Sequence, residues 1–401
     1  MSAGGETTSA VPAAEAEGRL PGGSGSASGV TPASSGSNAA GADASRARAG
    51  EGAAAGQAEA AGRRDPCGAE RAWRRRVALI AAPLLLAVAA VYGLTTGAVG
   101  IPARELYAAL AGNGDPAYEQ ILWNLRIPRV AIGALVGMCL AIAGCLLQGV
   151  MRNPLADPGL IGVSSGAGLA AIVIMILFPQ LMPLVPLAAF AGALGAVFVT
   201  YSLAWKGGAS AMRLVLSGVA INALIGAVTS AIMLLYSERV QAVLPWLIGG
   251  LGGRSWKHLE MMLPYAIVGL ALAAFAVKPA NVMLLGDDTA KLLGHPVEAS
   301  RLFLVAVATL LAGTAVSVAG LLGFVGLVVP HIARMIVGTN YAYFLPVSAF
   351  GGAFLTVLAD TAARSWFDPV ELPVGILLAF LGAPFFLYLL RKGGIRIGKP
   401  A

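Results

Sequence analysis

After residue 76 the chain is a succession of long apolar runs separated by short polar stretches. Ten runs cover about 77–97, 130–150, 160–178, 185–205, 214–236, 261–277, 302–320, 321–338, 344–363 and 372–390. Each is long enough, at about 1.5 Å of rise per residue, to cross a hydrocarbon core about 30 Å thick. The runs are continuous and do not alternate apolar with polar, so they predict helices and exclude barrel strands. The expected fold is an all-α polytopic membrane protein of about ten transmembrane helices, with both termini on one side.

Two of the runs are entered through glycine-broken segments. Residues 152–166 read Arg-Asn-Pro-Leu-Ala-Asp-Pro-Gly-Leu-Ile-Gly-Val-Ser-Ser-Gly, and residues 320–334 read Gly-Leu-Leu-Gly-Phe-Val-Gly-Leu-Val-Val-Pro-His-Ile-Ala-Arg. Gly159-Leu-Ile-Gly162 and Gly320-Leu-Leu-Gly323 enter the third and eighth runs from opposite faces. Matching interruptions in two halves point to inverted-repeat halves with a solute path between them. Glycines that only let helices pack closely would look the same at this level. Ser164 and Ser165 of the third run and Ser217 and Asn222 of the fifth are polar side chains in apolar helices, suited to face a path or a neighbouring helix.

Composition agrees with the pattern. Hydrophobic residues make up 57% and charged residues only 12%, and the mean hydropathy is +0.78; soluble domains carry about 25% charged residues. The net charge of +7 lies in the connections, so it reports topology and not a nucleic-acid footprint. Arg71, Arg74, Arg75 and Arg76 precede the first run. With that end inside, inner segments hold fifteen Lys or Arg from Arg71 onward and outer segments seven, an excess that supports cytoplasmic termini. Residues 1–70 are rich in Ala, Gly, Ser, Glu and Pro and are expected to be a disordered cytoplasmic tail, not a secretory signal. Residues 396–401 form a short C-terminal tail. Cys139 and Cys145 fall inside one run and look like small core residues.

Within the polar stretch 278–301, residues 286–294 read Gly-Asp-Asp-Thr-Ala-Lys-Leu-Leu-Gly. Asp287 or Asp288 can cap a short helix and Gly294 can end it in the left-handed conformation. Such a helix would show Ala290, Leu292 and Leu293 outside the membrane, as an apolar docking knob. Residues 102–111 are expected to form an interfacial helix. Residues 241–250 are expected to form an outer half-helix, with Trp246 and Trp256 as interface anchors.

Several motifs resemble one family. They are Asn124-Leu-Arg-Ile-Pro-Arg-Val130, Gln148-Gly, the 152–166 segment, Leu216-Ser-Gly-Val-Ala-Ile-Asn222, Trp246-Leu-Ile-Gly-Gly-Leu251, Gly323-Phe-Val-Gly-Leu-Val-Val-Pro-His331, Glu371-Leu-Pro-Val-Gly375 and Gly382-Ala-Pro-Phe-Phe386. In this order, over about residues 75–395, they are similar to the iron–siderophore and vitamin B12 ABC importer permeases. The resemblance implies a transport subunit of the bacterial plasma membrane that pairs with a second permease subunit. Two ATPase subunits, which use ATP and Mg, would dock beneath, and a solute-binding protein would deliver chelated iron from outside. It places Gly286, Asp287, Asp288, Ala290, Leu292, Leu293 and Gly294 at the ATPase-coupling helix. It places Arg126, Arg129 and Arg364 where acidic residues of the binding protein dock, and guanidinium forks suit carboxylates. Asp360, one turn before Arg364, could pair with it instead.

The chain itself carries no G-x-x-x-x-G-K-[ST] phosphate cradle; its one Gly-Lys pair is Gly398-Lys399. No catalytic residue, bound cofactor or metal set is expected. Ferric siderophores are the expected cargo, with cobalamin or haem as alternatives. An ion-coupled secondary transporter is a further reading, but the spans are almost free of the acidic residues it would need.

Overall fold

The computed structural model describes residues 66–97, 99–367 and 370–391; the expected tail before residue 66 and the C-terminal residues 396–401 lie outside these. Fourteen α-helices follow in order among the described residues: α1 Pro66–Thr95, α2 Ala103–Leu110, α3 Pro116–Ile121, α4 Ile127–Val150, α5 Val163–Ile172, α6 Val185–Ala204, α7 Ala211–Leu235, α8 Val240–Ile248, α9 Trp256–Met283, α10 Asp287–Leu292, α11 Val297–Ala319, α12 Val325–Val337, α13 Tyr341–Ser365 and α14 Val374–Arg391. A π-helical turn, Leu122–Arg126, joins α3 to α4, so one helical rod runs from Pro116 to Val150.

Seven helical segments are long and apolar enough to cross a membrane, and three shorter apolar ones, Val163–Leu177, Val325–Val337 and Val374–Tyr388, make ten. The short third and eighth spans are those with broken entrances. The third begins at Val163 and not at 160, because Pro158–Ile161 forms a 3-10 turn and Gly162 follows at φ 97°. Asp157 starts that turn by accepting from Gly159 N at 2.8 Å, an Asx-type initiation. The eighth begins at Val325 behind Phe324, at φ 66°. A phenylalanine rarely sits in this left-handed region. Its ring lies where a Cβ on Gly382 would be, so α14 needs glycine at that crossing.

The spans alternate in direction. The face on which α1 begins is called proximal and the other distal. α4 and α11 form the centre, with 72% and 78% of their most apolar windows buried, whereas α1 and α7 lie at the margin with 17% and 11%. No hydrophobic effect drives helices together in lipid, so close approach of backbones must do it. A Cβ on Gly137 would overlap the carbonyl oxygen of Gly352, and one on Gly352 would overlap that of Gly137. Gly144 meets the Gly326 carbonyl, and Gly166 and Gly192 oppose each other in the same way. Cys139 and Cys145 are buried core residues, and the Cys145 carbonyl accepts from the Tyr341 hydroxyl at 3.0 Å. Gln148, buried in α4, donates to Gly326 O and accepts from Arg334 Nη2 at 2.7 Å, tying α4 to α12.

Candidate functional sites on the two faces

On the proximal face, α10 follows Gly286, at φ 99°. Neither aspartate caps it, contrary to expectation. Asp287 is drawn away by two guanidinium groups, its Oδ1 accepting from Arg152 Nη2 and its Oδ2 from Arg301 Nη2, both at 2.6 Å. Charge-assisted bonds of this kind outweigh a bond to a helix amide. Burial alone would raise the Asp287 carboxyl, but the bonds and charges of Arg301 and Arg152 hold it below its ordinary value. Asp288 is exposed in the first turn, where it complements the helix dipole. The carboxyl end closes as a Schellman motif: Gly294 N donates to Lys291 O, His295 N donates to Ala290 O, and Gly294 has φ 74°. Leu292 is 89% exposed and Leu293 68%. Ala290, expected outside, is instead fully buried. Only a small side chain fits the inner face of so short a helix, and Leu292, two residues on, falls on the opposite side.

Arg301, fully buried at the start of α11, organises this face. Its Nη1 donates to Ala209 O and to Glu298 Oε1, and Glu298 Oε2 accepts from Ala209 N at 2.9 Å. Asp287, Glu298, Arg152 and Arg301 thus cross-link the end of α4, the turn between α6 and α7, α10 and α11. Arg152 holds φ 46° in this arrangement. Sequence reasoning found Asp287 but missed its two partners, Arg152 and Arg301, and Glu298 beside them. The available signal was a lone Arg directly before Asn-Pro, a sharp turn in which Asn153 Oδ1 accepts from Leu155 N.

On the distal face, Arg126 and Arg364 are buried and not presented outward. Arg126 donates to Leu94 O at 2.6 Å and to Val99 O, and Arg364 donates to Gly93 O. The Gly93 and Leu94 carbonyls lie at the carboxyl end of α1 and have no partner inside the helix; Val99 is in the connection that follows it. Arg129 grips Asp360 with two bonds, Nε to Oδ2 at 2.8 Å and Nη2 to Oδ1 at 3.0 Å, and Glu371 Oε2 with a third at 3.0 Å. The Asp360–Arg364 pairing is loose, at 3.9 Å; the tight partner of Asp360 is Arg129. Asp360→Asn is expected to cost about 3–5 kcal/mol by leaving a buried guanidinium half-paired. The double variant Arg129→Gln with Asp360→Asn should recover much of that loss. Thermal melts followed by gel filtration check this, and additive losses would refute the coupling.

α8 is the expected half-helix. Its carboxyl end is bonded to neighbouring segments: Gly250 N donates to Ala319 O at 2.8 Å, Leu321 N to Trp246 O, and Gly375 N to Gly249 O. Trp246 is buried at 8% exposure and is not an interface anchor. The cause is this three-way junction, whose glycines draw α8 into the bundle. Trp256 is partly exposed and donates to Trp123 O at 2.6 Å. Beside Trp246 a distal cavity of about 830 Å³ opens, bordered by Arg129, Arg254, Lys257, His258 and Glu371.

Of the four polar residues expected on a path, two meet. Ser165 Oγ lies 2.5 Å from Asn222 Oδ1, and Asn222 Nδ2 donates to Gly159 O at 2.9 Å. This joins α5, α7 and the 3-10 turn. Ser164 and Ser217 are half-buried.

An all-helical bundle of apolar spans, two of them broken, is the architecture of a multi-pass membrane protein. The chain belongs to the FecCD transport family, whose pattern matches residues 85–392. It is 44% identical over 307 residues to the cobalamin import system permease protein BtuC of Halobacterium salinarum, covering 76% of this chain and 82% of that one. It is 38% identical to the Fe(3+)-citrate import system permease protein YfmE of Bacillus subtilis, over 79% of this chain and 96% of that one. It is also 38% identical to the hemin transport system permease protein HmuU of Yersinia pestis, over 77% and 93%. A solved metal-chelate type ABC transporter in an inward-facing conformation superposes with a TM-score of 0.72 at 29% identity, covering 78% of this chain and 98% of that one.

Proposed function

We propose that this chain is the transmembrane subunit of a binding-protein-dependent ABC importer that takes up ferric siderophores, driven by ATP hydrolysis on a separate subunit. The observation that carries the reading is α10, a short helix that presents Leu292 and Leu293 to solvent while Asp287 and Ala290 lock it to the bundle. Such a helix suits the groove of a partner that pushes on it. The excess of Lys and Arg supports an orientation with this proximal face, and both termini, on the cytoplasmic side of a bacterial plasma membrane. Two ATPase subunits that use ATP and Mg would bind there, at Gly286–Gly294. A second permease subunit, the same or homologous, would cover the exposed α7. Ser165 and Asn222, with Ser164 and Ser217, would lie along the path between the two. Outside, Arg129 would meet acidic residues of the binding protein by exchanging Glu371 for an incoming carboxylate. Arg126 and Arg364 would hold the platform beneath.

Relatives named for Fe(3+)-citrate and iron(3+)-hydroxamate import support a ferric chelate. The 44% identity to a cobalamin permease favours cobalamin as the second reading. In a strain lacking this chain, uptake of radio-iron as ferric siderophores should fall to background while labelled cobalamin uptake persists. Loss of cobalamin uptake alone would select the second reading. Uptake that survives inactivation of the partner ATPase would replace both with an ion-coupled transporter.

A further inference from the structure

We propose that the proximal groove between α1, α12 and α13 binds one anionic phospholipid, an acyl chain filling the groove and the phosphate meeting Arg74. The proposal needs only that the bundle spans a membrane, so it holds for any cargo.

α1 lies at the margin of the bundle and is fastened at both ends. Distally, its Gly93 and Leu94 carbonyls take Arg364 and Arg126. Proximally, Arg74 Nη2 donates to Met335 O at 3.2 Å and Arg75 Nε to Val337 O at 3.0 Å, closing carbonyls at the carboxyl end of α12. Beyond that proximal fastening the three helices part around a groove of about 460 Å³. α1 gives it Val77, Ala81 and Leu85, α12 gives Ile332 and Ile336, and Gly351 of α13 adds no side chain to fill it. Trp73 and Arg74 are the proximal rim, and every other lining residue is apolar.

Shape and polarity fix the occupant. From Trp73 to Leu85 the groove runs about 18 Å along α1, at about 1.5 Å per residue. That is close to the depth of one leaflet, half of a core about 30 Å thick. A partner's spanning helix would need an apolar face across the whole core, and this groove does not extend so far. Val77, Leu85, Ile332 and Ile336 are exposed, so the groove opens to the hydrocarbon. Water would find no hydrogen-bond partners among these side chains, and a void would forfeit contacts along its walls. A lipid chain fills it.

Arg74 then selects the headgroup. Its bond to Met335 O holds the guanidinium in place, and no carboxylate pairs with it among the described residues. Its remaining N–H donors suit a phosphate, and a basic pocket between spans recognises anionic headgroups. A choline headgroup would set its own cation beside the guanidinium. Trp73, 64% exposed, marks the headgroup level. Arg75 is committed to Val337 O and to the Tyr343 ring, 4.8 Å away. Arg76 is exposed but lies two residues beyond Arg74, about 200° round the helix and away from the groove.

The full chain in detergent is titrated with dioleoyl phosphatidylglycerol or dioleoyl phosphatidylcholine, and the first bound lipid is followed by native mass spectrometry. Phosphatidylglycerol should bind about fivefold tighter, the scale of one basic side chain at a membrane surface. Arg74→Gln should bring the two lipids within about twofold, and Arg74→Lys should keep the preference. Arg76→Gln, which removes the same charge from the other face of α1, should keep it too. Ala81→Phe fills the groove and should weaken both lipids alike. Glycerol phosphate, a headgroup without chains, should not compete. Equal effects of Arg74→Gln and Arg76→Gln overturn the proposal, since the preference would then follow net charge. So does competition by glycerol phosphate, which would make the site one for a free phosphate. A dimer that excludes lipid and is lost in Ala81→Phe would give the groove to a second copy of the chain.

Discussion

Replacing Leu292 and Leu293 together by glutamate should abolish solute uptake while the permease still folds, inserts and purifies at normal yield. Both leucines lie open to solvent on α10 and contribute little to the chain's own core. Buried in a partner's groove, each would contribute about 1.5–3 kcal/mol, and a carboxylate there adds desolvation cost. Loss of about 3–6 kcal/mol corresponds to an affinity more than a hundredfold weaker, so the ATPase should no longer co-purify. Ala290→Glu acts differently: it forces a carboxylate into a fully buried position and dislodges α10 from the bundle. Gly294→Val strains the left-handed position that closes α10. Only the leucine pair separates docking from folding. Normal ATPase co-purification by the double variant would remove α10 from the coupling surface.

Gly144→Val should prevent assembly of the bundle. A Cβ at this position would coincide with the carbonyl oxygen of Gly326, and backbone cannot step aside as a flexible side chain can. α4 and α12 would have to separate, losing dispersion contacts along the crossing and the Gln148 bond to the same carbonyl. Overpacking of this severity exceeds the usual cost of about 1–3 kcal/mol, and the protein should aggregate on extraction. Gly195→Val is the control, since a Cβ there meets no atom within 4 Å. Fluorescence-detected gel filtration of the pair reads the result. A monodisperse Gly144→Val protein would mean that the two helices do not pack this closely.

The ten spans, the broken entrances, the half-helix α8 and the left-handed Gly294 were all legible in the sequence. Each follows from local rules of apolar length or glycine chemistry. The partners of charges were not. Arg126, Arg129 and Arg364 all lie at distal span ends, and the fold brings them near one another. Yet nothing local says that two of them turn inward to the end of α1 while the third pairs with Asp360. Asp287 had every local feature of a cap, and two arginines from other elements took its carboxylate. Arg301 counted as one more inner cation by topology but is a fully buried hub. Trp246 had the residue type of an interface anchor, and the junction of α8 with α11 and α14 drew it inside. Tertiary competition decided each of these cases.

The arginines at the end of α1 also set an order on synthesis. When α1 leaves the ribosome, its last carbonyls lack partners. Arg126, 32 residues beyond Leu94, closes the first of them as soon as the second span follows. Gly93 waits for Arg364, 271 residues later. Among the described helices α1 is made first and is among the last to be locked, and a nascent chain that stalls before α13 leaves its Gly93 carbonyl without Arg364.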